Sequence, residues 1–71
     1  MCQEVLRSFG SCVRAARKRK GFSQRELAKR AGVHRTYIGM VERAERNISL
    51  MNIGKLARGL DISIVQLLEG L

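Results

Sequence analysis

The feature that most constrains the fold of this sequence is a pair of short amphipathic segments separated by Gly32. Ser23, followed three residues later by Glu26, has the spacing of a capping box and predicts the start of a helix. Gly32 can adopt the left-handed conformation that ends one. A second set of apolar residues at helical spacing follows at once, namely Val33, Tyr37, Ile38 and Val41. The segment therefore predicts two helices joined by a tight turn.

The polar face of the second helix points to a binding role. It carries His34, Arg35 and Thr36, and no acidic residue precedes Glu42. In a helix-turn-helix, the second helix can enter the major groove of DNA. We predict base contacts from Arg35, Thr36 and Met40, because an arginine fork fits O6 and N7 of guanine. The alternatives are a phosphate contact or a solvated side chain for Arg35, a phosphate contact or no role for Thr36, and a surface position without DNA contact for Met40.

The distribution of charge favours a polyanionic partner. Residues 1–46 contain twelve of the fourteen Lys and Arg and four of the six acidic residues, so the whole net charge of +8 lies there. Such one-sided charge repels itself, and nucleic acid relieves that repulsion. A merely solvated surface is the alternative. An anionic membrane fits less well, because the basic run 17–20 has no large apolar insertion face beside it. We predict double-stranded DNA as the partner.

The whole chain has the periodicity of an all-α protein. It has no proline, and apolar residues recur every three to four positions. We predict one compact domain over residues 1–71 with five helices. The first three lie near 3–19, 24–31 and 35–43, the fourth is capped by Ser49 and ends at Gly59 or Asp61, and a short fifth is capped by Ser63. The apolar face of the fourth helix is predicted to contain Leu50, Ile53, Leu56, Ala57 and Leu60. Gly10 weakens the first helix, so a later start near this residue is an alternative.

Several classes of function are not expected. The sequence lacks a carboxylate pair, a Cys–His pair and a Gly-rich phosphate loop, so we do not expect an enzyme. It contains a single histidine, and Cys2 and Cys12 lack metal-ligand spacing. We expect two free thiols, no metal, no cofactor and no small-molecule ligand. No apolar run could span a bilayer and no signal peptide is recognisable, so a cytoplasmic location is expected.

Several short sequence motifs, in their order along the chain, resemble those of the Cro/repressor-type, or XRE, helix-turn-helix family. They include Ser23-Gln24-x-Glu26-Leu27-Ala28, Ala31-Gly32-Val33 and Val41-Glu42-Arg43. The resemblance implies a lambda repressor-like DNA-binding fold and a transcriptional regulator. Residues 34–39 and 46–49 further resemble controller proteins of restriction–modification systems, which implies a homodimer, with RNA polymerase as a candidate partner. Ala44 departs from the glycine that the family favours, at a cost of about 1 kcal/mol if the residue is left-handed.

A second group of residues is predicted to contact the DNA backbone. The resemblance implies that Gln24, at the start of the second helix, holds a phosphate. His34 could instead cap a helix, and Tyr37 could serve only in packing. The predicted set is Gln24, His34, Tyr37, Arg43, Arg46, Asn47, Arg19 and Arg25. The resemblance also implies a partly buried ion pair between Arg17 and Glu42, which would stabilise this face.

Residues 60–71 are predicted to form a dimer interface, because they contain more apolar side chains than a small core needs. The candidates are Ile62, Ile64, Val65, Leu68 and Leu71, whereas Leu67 is assigned to the core. Alternatively, all of them complete the core. A two-fold dimer would read a pseudo-palindrome. The other functions considered are an antitoxin-type or other protein-interaction module with the same fold, and a nonspecific or RNA-binding protein.

Overall fold

A computed structural model describes residues 3–69 and 71 of the chain. These residues form five α-helices and no strand. The helices are α1 (Gln3–Arg19), α2 (Gln24–Ala31), α3 (Arg35–Glu42), α4 (Leu50–Leu60) and α5 (Ile64–Leu68). Helices α1 to α3 lie within one residue of the predicted bounds, α4 and α5 begin after the predicted caps Ser49 and Ser63, and α1 is continuous through Gly10. The later start considered for α1 is therefore wrong.

Side-chain caps fix where the helices begin. At α5, Ser63 Oγ accepts from the Gln66 amide at 3.0 Å and Gln66 Oε1 accepts from the Ser63 amide at 2.9 Å, which completes a capping box. At α2, Ser23 Oγ accepts from the Glu26 amide at 3.0 Å. The Glu26 carboxylate, however, accepts from Arg30 Nε at 3.1 Å. The capping box predicted at Ser23 is only half formed, because the next turn offers this carboxylate a cationic partner.

The five helices enclose one apolar core. Its fully buried large side chains come from α1, α2, α3 and α4, and they are Phe9, Val13, Leu27, Ile38, Leu56 and Leu60. Helix α2 packs against α3 and α4, and α1 packs against α3. Helix α5 closes the core by inserting Leu67, which is 2% exposed, while Val65 on its other side is 72% exposed. The prediction that Leu67 is buried in the core and Val65 is exposed is confirmed.

Two glycines allow helices to approach closely. A Cβ atom at Gly10 would lie 2.6 Å from the carbonyl oxygen of Val41 and 2.8 Å from that of Glu42. At Gly59, a Cβ would lie 3.0 Å from the Ala31 backbone nitrogen. The missing side chain of Gly10 therefore sets the spacing between α1 and the end of α3.

The assignment of Leu50 to the core is wrong. Leu50 is 74% exposed and Met51 is 73% exposed, whereas Ile53 is buried. Helix α4 has eleven residues and the helix it packs against, α2, has eight. Leu50 and Met51 thus remain uncovered in the first turn of α4, between the buried Ile48 and Ile53, although the spacing of Leu50 is that of a buried face.

The described residues were compared with the requirements of a membrane-spanning helix and of a metal-binding cluster. No helix among them is both long and apolar enough to cross a bilayer. Their His, Cys, Asp and Glu side chains form no group of three that could hold a metal ion. Cys12 is half-buried and unpaired, and Cys2 lies outside the described residues.

We expect Gly10→Ala to destabilise the protein, because the new methyl group would collide with two backbone carbonyls. Overpacking of this kind costs about 1–3 kcal/mol, and the better helix propensity of alanine offsets only part of it. Gly54→Ala is the matched control: its Cβ would lie 3.9 Å from Ile64 Cδ1, an ordinary contact, so this change should stabilise α4. Urea unfolding followed by circular dichroism measures both. Equal stability of the two variants would contradict the close approach.

Candidate nucleic-acid interface

Helix α3 separates a buried inner face from an exposed outer face. Ile38 and Val41 point into the core, whereas Arg35 and Thr36 are exposed at the start of the helix. His34 Nδ1 accepts from the Thr36 amide at 3.1 Å and thereby caps the helix. Because the core fixes the inner face, the outer side chains at this end are presented to solvent on a rigid support.

The middle of α3 is tied to its surroundings. Tyr37 is half-buried against the core, and its hydroxyl oxygen accepts from Asn52 Nδ2 at 3.0 Å. The hydroxyl hydrogen of Tyr37 can still donate to another acceptor. Met40 is half-buried, and its sulfur lies 4.0 Å from Arg46 Nη1. Tyr37 thus packs against the core, and its phosphate contact stays a prediction.

Arg17 and Glu42 form the best-shielded ion pair of the described residues. Arg17 Nε lies 2.7 Å from Glu42 Oε2, and Nη2 donates to Oε1 at 3.2 Å. Their side chains are 11% and 4% exposed, respectively. Arg17 Nη1 also donates to the carbonyl oxygen of Phe22 at 2.9 Å. One guanidinium therefore joins the end of α1, the entry to α2 and the end of α3.

The same carboxylate also holds Gln24. Gln24 Nε2 donates to Glu42 Oε1 at 3.1 Å. Gln24 is the first residue of α2, where free backbone amides favour an anion. Its second amide hydrogen remains available, so the bond to Glu42 orients the side chain without consuming it. Local sequence patterns give no signal for this contact, since its partners are eighteen residues apart.

The turn after α3 contains a left-handed residue that is not a glycine. Ala44 has φ 59° and is buried. Its carbonyl accepts from Gln3 Nε2 at 3.2 Å, and the following Glu45 amide donates to the Met40 carbonyl at 2.8 Å. The left-handed turn questioned at Ala44 is formed, and these bonds compensate for part of the steric cost.

Arg43 and Glu45 form an ion pair that the sequence analysis missed. Arg43 Nε donates to Glu45 Oε2 at 2.9 Å, and Nη2 donates to Oε1 at 3.1 Å. The hydrogen bond and the charge of Arg43 lower the pKa of Glu45, and those of Glu45 raise the pKa of Arg43. The pairing depends on the left-handed turn at Ala44, which folds residue 45 back toward residue 43. Because residue 44 is an alanine and not a glycine, the sequence did not indicate that this turn would form.

The remaining predicted backbone contacts are exposed. Arg19 ends α1, Arg25 lies in the first turn of α2, and Arg46 and Asn47 follow α3. The bond between Gln24 and Glu42 places the start of α2 next to the end of α3. The structure therefore brings Gln24 to the end of α3, whereas Arg19, Arg25 and Asn47 remain predictions from the sequence.

Comparison with known proteins gives a consistent result. Residues 13–67 match the family described as helix-turn-helix (HTH_3). The control protein C.SmaI of Serratia marcescens is 48% identical over 56 residues, which cover 79% of this chain and 67% of that protein. The control protein C.BamHI of Bacillus amyloliquefaciens is 40% identical over 70 residues, covering 97% and 86%. The crystal structure of the restriction-modification controller protein C.AhdI of Aeromonas hydrophila has a TM-score of 0.85, 50% identity, and coverage of 87% and 94%.

We expect Glu42→Gln to destabilise the fold by about 3–5 kcal/mol, because it leaves the shielded Arg17 charge without its partner. Glu26→Gln is the matched control. Glu26 pairs with Arg30 at 3.1 Å, but both side chains are nearly half exposed, so its loss should cost about 0.5 kcal/mol or less. Urea unfolding measures the loss in free energy of unfolding for both variants. A Glu42 variant as stable as the Glu26 variant would refute the structural importance of the pair.

Proposed function

Because this chain belongs to the helix-turn-helix family of DNA-binding transcriptional regulators, we propose that it binds a pseudo-palindromic operator as a homodimer. The observation that carries the proposal is the exposed, basic start of α3 on a helix whose other face is locked into the core. The similarity to the control proteins C.SmaI and C.BamHI supports restriction–modification genes as the target of control. The bacterial cytoplasm, where such operators lie, is the proposed site of action.

The proposed base contacts are Arg35, Thr36 and Met40. Arg35 and Thr36 are exposed at the end of α3 that would enter the major groove first. Thr36 and Met40 are one turn apart and share a face of the helix. Arg35 can donate two parallel hydrogen bonds to a guanine, which makes it the strongest source of sequence preference among the three.

The proposed backbone contacts surround α3. The set is Gln24, His34, Tyr37, Arg43, Arg46, Asn47, Arg19 and Arg25. His34 already uses Nδ1 as a cap, so any phosphate contact would come from Nε2. Contacts of this kind position the protein and make its affinity depend on salt, but they do not read the sequence.

We propose that residues 1–71 form one domain. The proposed dimer interface lies in its last part, residues 60–71. Val65, Ile64 and Leu71 are exposed apolar side chains there. Ile62 and Leu68 are partly buried against the core and would form the edges of the contact. Leu68 is thus less exposed than the sequence predicted. Residues 47–71 carry no net charge, so two strongly cationic chains can meet there with little repulsion.

Selection of bound duplexes from a random pool tests the proposal directly. We expect a recurrent pseudo-palindrome whose half-sites lie about one DNA turn, roughly 34 Å, apart. Equal recovery of unrelated sequences would contradict sequence-specific binding, and a recurrent single half-site would contradict a dimer.

We expect Arg35→Ala to remove most of the preference for the selected operator over random duplex, because one bidentate base contact supplies about 1–3 kcal/mol of discrimination. Weak, salt-sensitive binding should remain. Arg14→Ala is the control, since Arg14 is exposed on α1 and belongs to none of the proposed contact sets. Fluorescence anisotropy with both duplexes measures the ratio of affinities. An unchanged ratio in the Arg35 variant would rule out a base contact.

We expect Val65→Glu to give a folded monomer with weak affinity for a half-site, because it places a charge on the exposed apolar side of α5. Leu67→Glu should instead unfold the protein, since its side chain lies in the core and burying a carboxylate there is costly. Sedimentation equilibrium and circular dichroism on the same samples separate the two outcomes. A Val65 variant that dimerises like the wild type would contradict the proposed interface.

A further inference from the structure

We propose that Glu45 is a positioning residue for DNA binding: it holds the Arg43 guanidinium beside α3 and leaves one donor edge of it unpaired for the DNA. The inference rests on the proposed function and refines it, because it gives a role to an acidic residue where a polyanion is expected to bind. Acidic side chains near DNA ordinarily weaken its binding.

The pairing geometry leaves one complete donor edge of Arg43 free. Glu45 occupies the edge formed by Nε and Nη2, at 2.9 and 3.1 Å. The opposite edge, formed by Nη1 and the second Nη2 hydrogen, still has two parallel donors. A pair of adjacent acceptors matches this edge, either O6 and N7 of a guanine or two oxygens of a phosphate.

Gly39 provides the surface on which Arg43 lies. A Cβ atom at Gly39 would be 2.9 Å from Arg43 Nη1 and 3.5 Å from Nη2. The Nη1 end of the guanidinium is therefore the part that lies closest to the glycine, one turn back along α3. Residues 35, 39 and 43 follow one another at intervals of four and share a face of the helix. The free edge of Arg43 thus lies on the same face as Arg35, the proposed base-reading residue.

The backbone fixes this arrangement before DNA arrives. The left-handed Ala44 and the 2.8 Å bond from the Glu45 amide to the Met40 carbonyl hold residue 45 beside residue 43. A free arginine loses rotamer freedom when it binds. Ordering one such side chain in advance changes affinity by roughly two- to tenfold. Charge alone predicts the opposite sign, since removal of a carboxylate should strengthen binding.

A double-mutant cycle separates the two effects. The four proteins are the wild type, Glu45→Gln, Arg43→Ala and the double variant, measured by anisotropy on the selected operator and on random duplex. We expect Glu45→Gln to weaken operator binding by roughly two- to tenfold when Arg43 is present. With Arg43 replaced by alanine, the same change should leave affinity unchanged or raise it. Glu26→Gln is the control, because Glu26 has a similar exposure and its own arginine partner on α2.

The duplexes identify what Arg43 contacts. If the loss of affinity caused by Glu45→Gln disappears when one G·C pair in each half-site is replaced, Arg43 contacts a guanine edge. If the loss of affinity is equal on every duplex, Arg43 contacts a phosphate. Either result supports the positioning role. Glu45→Gln binding as tightly as or more tightly than the wild type, with circular dichroism unchanged, would overturn it. Failure of the proposed function would be visible separately, as a wild type without sequence preference, and the cycle could still be measured on random duplex.

Discussion

The arrangement of the DNA-binding elements depends on the ion pair between Arg17 and Glu42. Arg17 reaches Glu42 at the end of α3 and the Phe22 carbonyl at the entry to α2, and Glu42 in turn holds Gln24. A charge pair this shielded contributes little net stability compared with apolar residues of the same shape. Its directional hydrogen bonds nevertheless fix the relative positions of three helix ends, which apolar packing alone specifies less strictly. The pair thus defines the geometry of the surface, and the core supplies most of the stability.

Local patterns were sufficient for most of the fold. The helix bounds and the caps at Ser49 and Ser63 depend on residues within one turn of each other, which a sequence displays directly. The opposite placement of Val65 and Leu67 also follows from the rotation of about 100° per residue in a helix. The exposed outer face of α3 could be predicted in the same way, because the apolar spacing of Ile38 and Val41 determines which side is buried.

Features that depend on distant contacts could not be predicted from such patterns. Leu50 has the spacing of a core residue, but it is exposed because no other part of the described chain covers it. Gly10 weakens a helix when considered alone, and only the carbonyls of α3 explain its presence. The Arg43–Glu45 pair requires the left-handed Ala44, a conformation that the alanine itself disfavours. In each case, the cause lies in another element or in a backbone angle.

The division of α3 into two faces has a consequence for how such proteins diversify. Arg35 and Thr36 make no core contact, whereas Ile38 and Val41 are almost wholly buried. The stability of the scaffold is therefore nearly independent of the outer residues, since exposed substitutions usually change it by about 0.5 kcal/mol or less. With the proposed base contacts, divergent evolution or protein engineering can exchange the outer residues as a module and obtain new operator preferences on an unchanged framework. The framework itself tolerates far less variation, because Gly10, Gly59, Arg17 and Glu42 each have a steric or electrostatic role that few other residues can fill.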